Sequence, residues 1–291
     1  MILQQTLNGL ALGMAYALVA VGYSLVFGIL RLVNFSHGSV YAFGAHMVIF
    51  LTGFHFGLVP AIIIGVILTG LLGIFIDKLA LSPLRKKKSP GISSLITTIG
   101  ISYIIQNMLM MFFGSEKKPF PPLFKNDVIT IAGAKMNTMQ LTMFLVSILL
   151  LVILSVLVKY TKIGLAMRSV EQSQVVSSLM GINTNLVVAF TFFLGGASAA
   201  IASVLISGHY QIVYPTMGFM IGLKAFAAAV LGGIGLFHGS IVGGLVIGVA
   251  EALAATIFGS AYRDSVAFII LILVLLVRPA GLFGKKGIEK V

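Results

Sequence analysis

The chain has no cysteine, which removes disulfides, thiolate nucleophiles and cysteine-ligated metals together. Acidic residues are scarce too. Seven Asp and Glu in 291 residues leave little for paired-carboxylate catalysis. The five histidines, His37, His46, His55, His209 and His238, follow no His-Glu-x-x-His or other metal-binding spacing. Neither an enzyme nor a metal or cofactor site is expected. The glycine run Gly232-Gly233-Ile234-Gly235 lacks the Gly-Lys-Ser/Thr ending and the preceding strand of a phosphate loop, so it reads as a tight turn with close helix packing rather than a nucleotide site. The opening Met1-Ile2-Leu3-Gln4-Gln5 carries no positive charge ahead of its apolar run, as a secretory signal would, so the first apolar segment is expected to stay in the mature protein. Charged residues make up 9% of the chain against 59% hydrophobic, too few to clothe a soluble core of this size.

What the sequence does contain is a succession of apolar segments, each of about 17 to 24 residues, the length a helix needs to cross a bilayer core of about 30 Å. They predict an all-α, polytopic transmembrane helix bundle forming one domain over 1–291. The expected spans are 7–30, 38–54, 58–79, 92–113, 139–158, 186–206, 217–236, 240–258 and 265–281: about nine, within eight to ten. The 33 glycines suit close helix contact in lipid.

The net charge of +12 invites a nucleic-acid reading until the basic residues are placed. With the loop holding Arg85, Lys86, Lys87 and Lys88 set in the cytoplasm, alternation puts the N-terminus outside and the C-terminus inside. Arg31, Lys78, Lys159, Lys162, Arg168, Arg278, Lys285, Lys286 and Lys290 then also fall inside. Only Lys117, Lys118, Lys125, Lys135 and Arg263 fall outside, and Lys224 lies within a span. This is the positive-inside asymmetry, so membrane topology accounts for the charge and no nucleic-acid partner is implied.

Four features could carry function. In the fourth span Ser94, Thr98, Ser102 and Gln106 recur every fourth residue, with Ser93, Thr97, Tyr103 and Asn107 beside them; such a stripe either glues helices together or lines a hydrophilic pathway. Lys224 and Glu251 sit about 13 and 12 Å below the outer boundary on consecutive antiparallel spans, by the 1.5 Å helical rise, so they are placed to pair. The inner loop over 159–185 reads from Gly164 to Gly181 as an amphipathic helix, with Leu165, Val175, Val176 and Leu179 among Arg168, Glu171, Gln172 and Gln174, and must bury its apolar face on lipid or on a partner. The outer loop 114–138 contains Pro119-Phe120-Pro121-Pro122 and an alternating Val128-Ile129-Thr130-Ile131 run suited to a hairpin strand, a connector or a docking surface. The segments at Phe35-Ser36-His37-Gly38-Ser39-Val40 and Leu236-Phe237-His238-Gly239-Ser240-Ile241 share His-Gly-Ser at the start of a span, either as glycine-tolerant helix starts or as the trace of an internal repeat.

These residues also resemble a known family. Asn8-Gly9-Leu10, Asn34-Phe35-Ser36-His37-Gly38, Thr98-Ile99-Gly100-Ile101-Ser102, Gly181-Ile182-Asn183-Thr184, Lys224 through Gly235, and Leu275 through Gly284 are similar to the branched-chain amino-acid importer permeases of the ABC type. The resemblance implies a multi-pass protein of the bacterial or archaeal inner membrane. It further implies a second, similar permease subunit, two cytoplasmic ATPase subunits and a periplasmic or lipid-anchored binding protein that delivers leucine, isoleucine or valine. On that reading the inner loop is the coupling helix seated on the ATPase, with Gly164, Arg168, Glu171, Gly181, Ile182 and Asn183 transmitting its motion. Urea, short amides or other amino acids are alternative substrates. A stand-alone channel or ion-coupled carrier would need a charge relay, for which one Lys and one Glu are thin support.

Overall fold

The computed structural model describes residues 2–87, 89–124, 127–131 and 134–284. Of the basic residues used above to orient the chain, Lys88, Lys125, Lys285, Lys286 and Lys290 lie outside them.

Each expected span is a helix. The chain runs through α1 (Ile2–Leu30), α2 (His37–Gly53) and α3 (Leu58–Ile76), which continues through a π-helical stretch, Asp77–Leu81, into α4 (Ser82–Lys86). Then follow α5 (Gly91–Phe113), the short strands β1 (Lys118–Pro119), β2 (Val128–Ile131) and β3 (Ala134–Asn137), and α6 (Thr138–Tyr160). Two short helices, α7 (Lys162–Gln172) and α8 (Gln174–Leu179), lead to α9 (Thr184–Tyr210), β4 (Ile212–Val213), α10 (Met217–Gly232), α11 (Phe237–Ile257) and α12 (Arg263–Val277). Among the described residues, seven helices are long and apolar enough to cross a membrane. The other two expected spans are shorter, α2 with 17 residues and α10 with 16. At 1.5 Å per residue each covers only about 25 Å.

The bundle is apolar outside as well as inside. α1 and α9 are central and largely buried, whereas α3, α5, α6 and α12 turn large side chains such as Ile67, Phe75, Ile104, Met111, Leu149 and Leu276 outward, as lipid requires. Because lipid offers helices no hydrophobic reason to associate, close contact depends on small residues. Gly9 and Gly13 of α1 lie directly on Gly244, Gly248 and Val249 of α11, and a Cβ at Gly244 would stand 2.6 Å from the Ala17 nitrogen. Gly244→Ala is therefore expected to lower stability by about 1–3 kcal/mol, the usual cost of overpacking. Gly100→Ala, in open space in the interior of α5, should instead raise it by up to about 1 kcal/mol, the helix-interior cost of glycine; thermal unfolding in detergent followed by circular dichroism checks both.

Two departures from a simple run of spans matter. His37, the first residue of α2, lies against Gly22, two turns before the end of α1, so α2 starts part-way along its neighbour. The non-helical backbone this leaves between the helices is satisfied by side chains, as burial demands. Asn34 Oδ1 accepts from the Ser36 amide (3.2 Å) and hydroxyl (2.6 Å), and the Phe35 amide donates to Thr98 Oγ1 (3.3 Å). At the end of α3, buried Asp77 pairs with Arg85 at 2.5 Å across the π-helical stretch.

The strands gather at one end of the bundle. β1 pairs with β4, β2 with β3, and Gln4 at the start of α1 bonds the Lys135 backbone through Oε1 (2.7 Å) and Nε2 (2.5 Å). The alternating run at 128–131 is thus one arm of a hairpin. α7 and α8 occupy the opposite end.

Candidate functional site: a hydroxyl-bearing cavity, an ion cluster and an exposed helix pair

The α5 stripe divides. Ser94 and Thr98 are buried, and Thr98, which also donates to Leu95 O (2.9 Å), fixes the backbone leading into α2. Ser102 and Gln106 instead border a cavity of about 280 Å³ between α1, α2, α5 and α10, shared with Tyr23, Phe35, Ser39 and Tyr103. Ser39 Oγ and Ser102 Oγ meet at 2.7 Å. α10 closes the cavity with Gly218 and Gly222, which lie on the Gly38 backbone of α2 where no larger residue would fit. Spacing on α5 picked out Ser102 and Gln106 of this cavity, with Tyr103 beside them. Tyr23, Phe35, Gly218 and Gly222 come from three other elements and carry no periodic signal.

The two His-Gly-Ser segments do parallel jobs. Gly38 packs on Gly218 and Gly239 on Gly232, both of α10, while Ser39 bonds Ser102 and Ser240 bonds Ser24 at 2.5 Å. The histidines differ: His37 is buried and His238 exposed.

The antiparallel course of α10 and α11 sets Lys224 Nζ 2.9 Å from Glu251 Oε1. Two further charges join them from the start of α12: Lys224 also lies 2.6 Å from Asp264 Oδ1, and Arg263 Nε approaches Glu251 Oε2 at 3.7 Å. Tyr16 of α1 donates its hydroxyl to Glu251 Oε2 (3.1 Å), and its ring lies 5.5 Å from the Lys224 ammonium. Glu251 is wholly buried and Asp264 is half exposed. Taking two charges out of water is costly, and only mutual attraction with added hydrogen bonds offsets it. Sequence reasoning reached the first pair through helical rise. It counted Arg263 as an external loop residue and did not single out Asp264 or Tyr16.

At the opposite end the expected single helix from Gly164 to Gly181 is two. α7 and α8 break at Ser173, whose backbone is extended (φ −160°, ψ 115°) so that its hydroxyl caps Val176 (3.3 Å). Serine prefers such capping to a helix interior, which is why the break falls there. Gly164 sits against the last carbonyls of α6, and Thr161 caps α7 through the Gly164 amide (3.0 Å). Arg168 donates to the carbonyls of Val158 and Lys159, the cation neutralising the end of the α6 dipole. Glu171 borders a small cavity with Gly28, Gly235 and Leu236. Gly181 takes a left-handed φ of 84°, the Ile182 amide bonds Ser177 O (3.0 Å), and Asn183 caps α9 through the Leu186 amide (3.2 Å). Gly164, Arg168 and Asn183 thus fix where the helices lie. The large apolar side chains turned outward are Ile163, Leu165, Val175, Val176, Leu179 and Met180, of which Ile163 and Met180 were not picked out by sequence. Asn183→Ala is expected to cost about 1 kcal/mol, the worth of an N-cap, read as a lowered unfolding midpoint.

A family model described as the permease component of the branched-chain amino acid transport system matches residues 5–275. The chain belongs to the branched-chain amino-acid permease family. The permease is 40% identical to the "High-affinity branched-chain amino acid transport system permease protein LivH" of Salmonella typhimurium, over 99% of this chain and 97% of that one. It is 39% identical to BraD of Pseudomonas aeruginosa, which bears the same description, over 99% and 98%. A probable branched-chain amino-acid permease of Methanocaldococcus jannaschii is 30% identical over 92% of this permease and 88% of its own length. Similarity over essentially the whole of each chain means that the α5 stripe, the ion cluster and the α7–α8 pair all lie within the matched length.

Proposed function

We propose that this chain is the membrane-spanning permease subunit of an ATP-driven importer, passing leucine, isoleucine and valine delivered by an external binding protein. The full-length likeness to the branched-chain permeases carries the reading. The end bearing α7 and α8 faces the cytoplasm, where Lys78, Arg85, Lys86, Lys87, Lys159, Lys162 and Arg168 collect, in keeping with the positive-inside rule. The strand end faces outward and meets the binding protein.

Two ATPases and a second permease complete the assembly. The exposed apolar residues of α7 and α8 form the ATPase seat, and the capping contacts of Gly164, Arg168 and Asn183 make the pair move as one piece with α6 and α9. The substrate passes along the face of α1, α2, α5 and α10, where Ser39, Ser102 and Gln106 offer hydroxyl and amide groups among glycines and large apolar and aromatic side chains. The buried Lys224–Glu251 pair holds α10 to α11 below the outer mouth.

The reading is tested in cells stripped of their own leucine importers. Expressing both permeases, the ATPases and the binding protein is expected to give saturable uptake of radiolabelled leucine, and omitting this chain to abolish it. Uptake of equal size without this chain would contradict the proposal.

A further inference from the structure

The ion cluster borders a cavity of about 370 Å³ at the strand end of the bundle, within the range of small-molecule sites. Its walls divide by chemistry. Ile206, Met217, Met220 and Ile221 form an apolar side and Arg263, Asp264 and Lys224 a charged one, with Lys117 on the cavity wall too, its ammonium 5.6 Å from the Tyr214 ring. The four charges of the cluster are not equally satisfied. Lys224 is shared between two carboxylates, and Glu251, bonded by Lys224 and Tyr16, is closed off from the surface. Arg263 and Asp264 are the open members. Both side chains reach the cavity, Arg263 being 27% and Asp264 52% exposed; the Arg263 Nε is itself buried against Glu251 Oε2 at 3.7 Å, while Asp264 has a single cationic partner within ion-pair distance. Adjacent charges of opposite sign, each partly exposed to the cavity beside an apolar wall, match a small molecule that carries both charges on one end and hydrocarbon on the other.

We propose that this cavity receives the amino acid as a zwitterion. The α-carboxylate lies on the Arg263 guanidinium, the α-ammonium on the Asp264 carboxylate, and the hydrocarbon side chain on Ile206, Met217 and Ile221. The inference rests on the import reading above and adds to it where the substrate first stops. Arg263 suits the carboxylate because its planar fork can donate two parallel hydrogen bonds. Lys224 and Glu251 position the pair: Lys224 anchors Asp264, and Glu251 keeps Arg263 at the cavity wall.

The test uses the assembled permease–ATPase complex without binding protein, with ligand binding followed by saturation-transfer NMR. The probes are leucine, 3-methylbutylamine, which lacks the carboxylate, and 4-methylpentanoate, which lacks the ammonium. On the unaltered complex leucine is expected to bind at least about tenfold more tightly than either analogue, each missing charge-assisted contact being worth that much or more. Arg263→Gln should abolish the preference for leucine over 3-methylbutylamine, and Asp264→Asn the preference for leucine over 4-methylpentanoate. Arg263→Lys should keep most of the first preference. The analogue series on the unaltered complex decides the matter even if a variant fails to assemble. Equal binding of all three probes, or leucine uptake by the full importer without leucine binding to the complex, would overturn the site while leaving the import function standing. Preferences unchanged in the variants, with weakened capture of the binding protein instead, would reassign Arg263 and Asp264 to an external docking surface. A full importer that takes up no leucine would overturn both readings.

Discussion

Lys224→Met should cost the folded protein about 3–5 kcal/mol, the usual penalty for stranding one member of a buried ion pair. The substitution leaves the Glu251 carboxylate, wholly buried, with only Arg263 at 3.7 Å and one hydrogen bond from Tyr16. Glu251→Gln should cost less, about 1–2 kcal/mol, because Lys224 keeps Asp264 at 2.6 Å and the glutamine oxygen can still accept from Tyr16. The pair therefore fails unequally. Lys224→Met combined with Glu251→Gln should recover part of the larger loss, since neither partner is then left charged and alone. Thermal unfolding of the four proteins in one detergent closes the double-mutant cycle. Equal single losses that add without interaction would mean that the two side chains are stabilised independently.

The second large effect is expected at the other end. Leu179→Asp should cut leucine uptake, and the amount of ATPase that copurifies with the permease, by about tenfold or more, as for the anchor residue of an interface. The unfolding midpoint of the isolated chain should not move, because Leu179 is 80% exposed and touches little of the bundle. An effect on uptake with ATPase binding intact would place the ATPase seat elsewhere. A comparable charge at Val128, exposed in the strand hairpin at the other end of the bundle, should leave ATPase copurification unchanged and so separates loss of this seat from a general penalty for adding charge to the chain.

Much of this architecture could be read from periodicity. Apolar segments of span length became helices because in lipid a backbone must satisfy its own hydrogen bonds, and that rule needs no tertiary information. The same holds for the Lys224–Glu251 approach, which follows from a 1.5 Å rise on two consecutive antiparallel helices. What periodicity could not supply was the crossing of helices distant in sequence. Arg263 and Asp264 enter the ion cluster only because α12 starts beside α10, and Tyr16 because α1 packs against both α10 and α11. Nothing in a linear spacing of four distinguishes Thr98, turned into the bundle to hold Phe35, from Gln106, turned to a cavity. The start of α2 part-way along α1 was hidden for a different reason. It depends on Asn34 and Ser36 satisfying a short non-helical stretch with their own side chains, and in sequence such a stretch looks like any polar loop between spans. The Ser173 break was foreshadowed by its residue type, but the apolar pattern on either side of it ran on as if the helix were continuous.

The most direct measurement is uptake of radiolabelled leucine into proteoliposomes holding this chain, with the partner permease, the ATPases, internal ATP and the external binding protein each omitted in turn. The account predicts ATP-dependent accumulation only when every component is present. Leucine entry through this chain alone, or accumulation that persists without ATP, would contradict it and mark the chain as a self-sufficient channel or carrier.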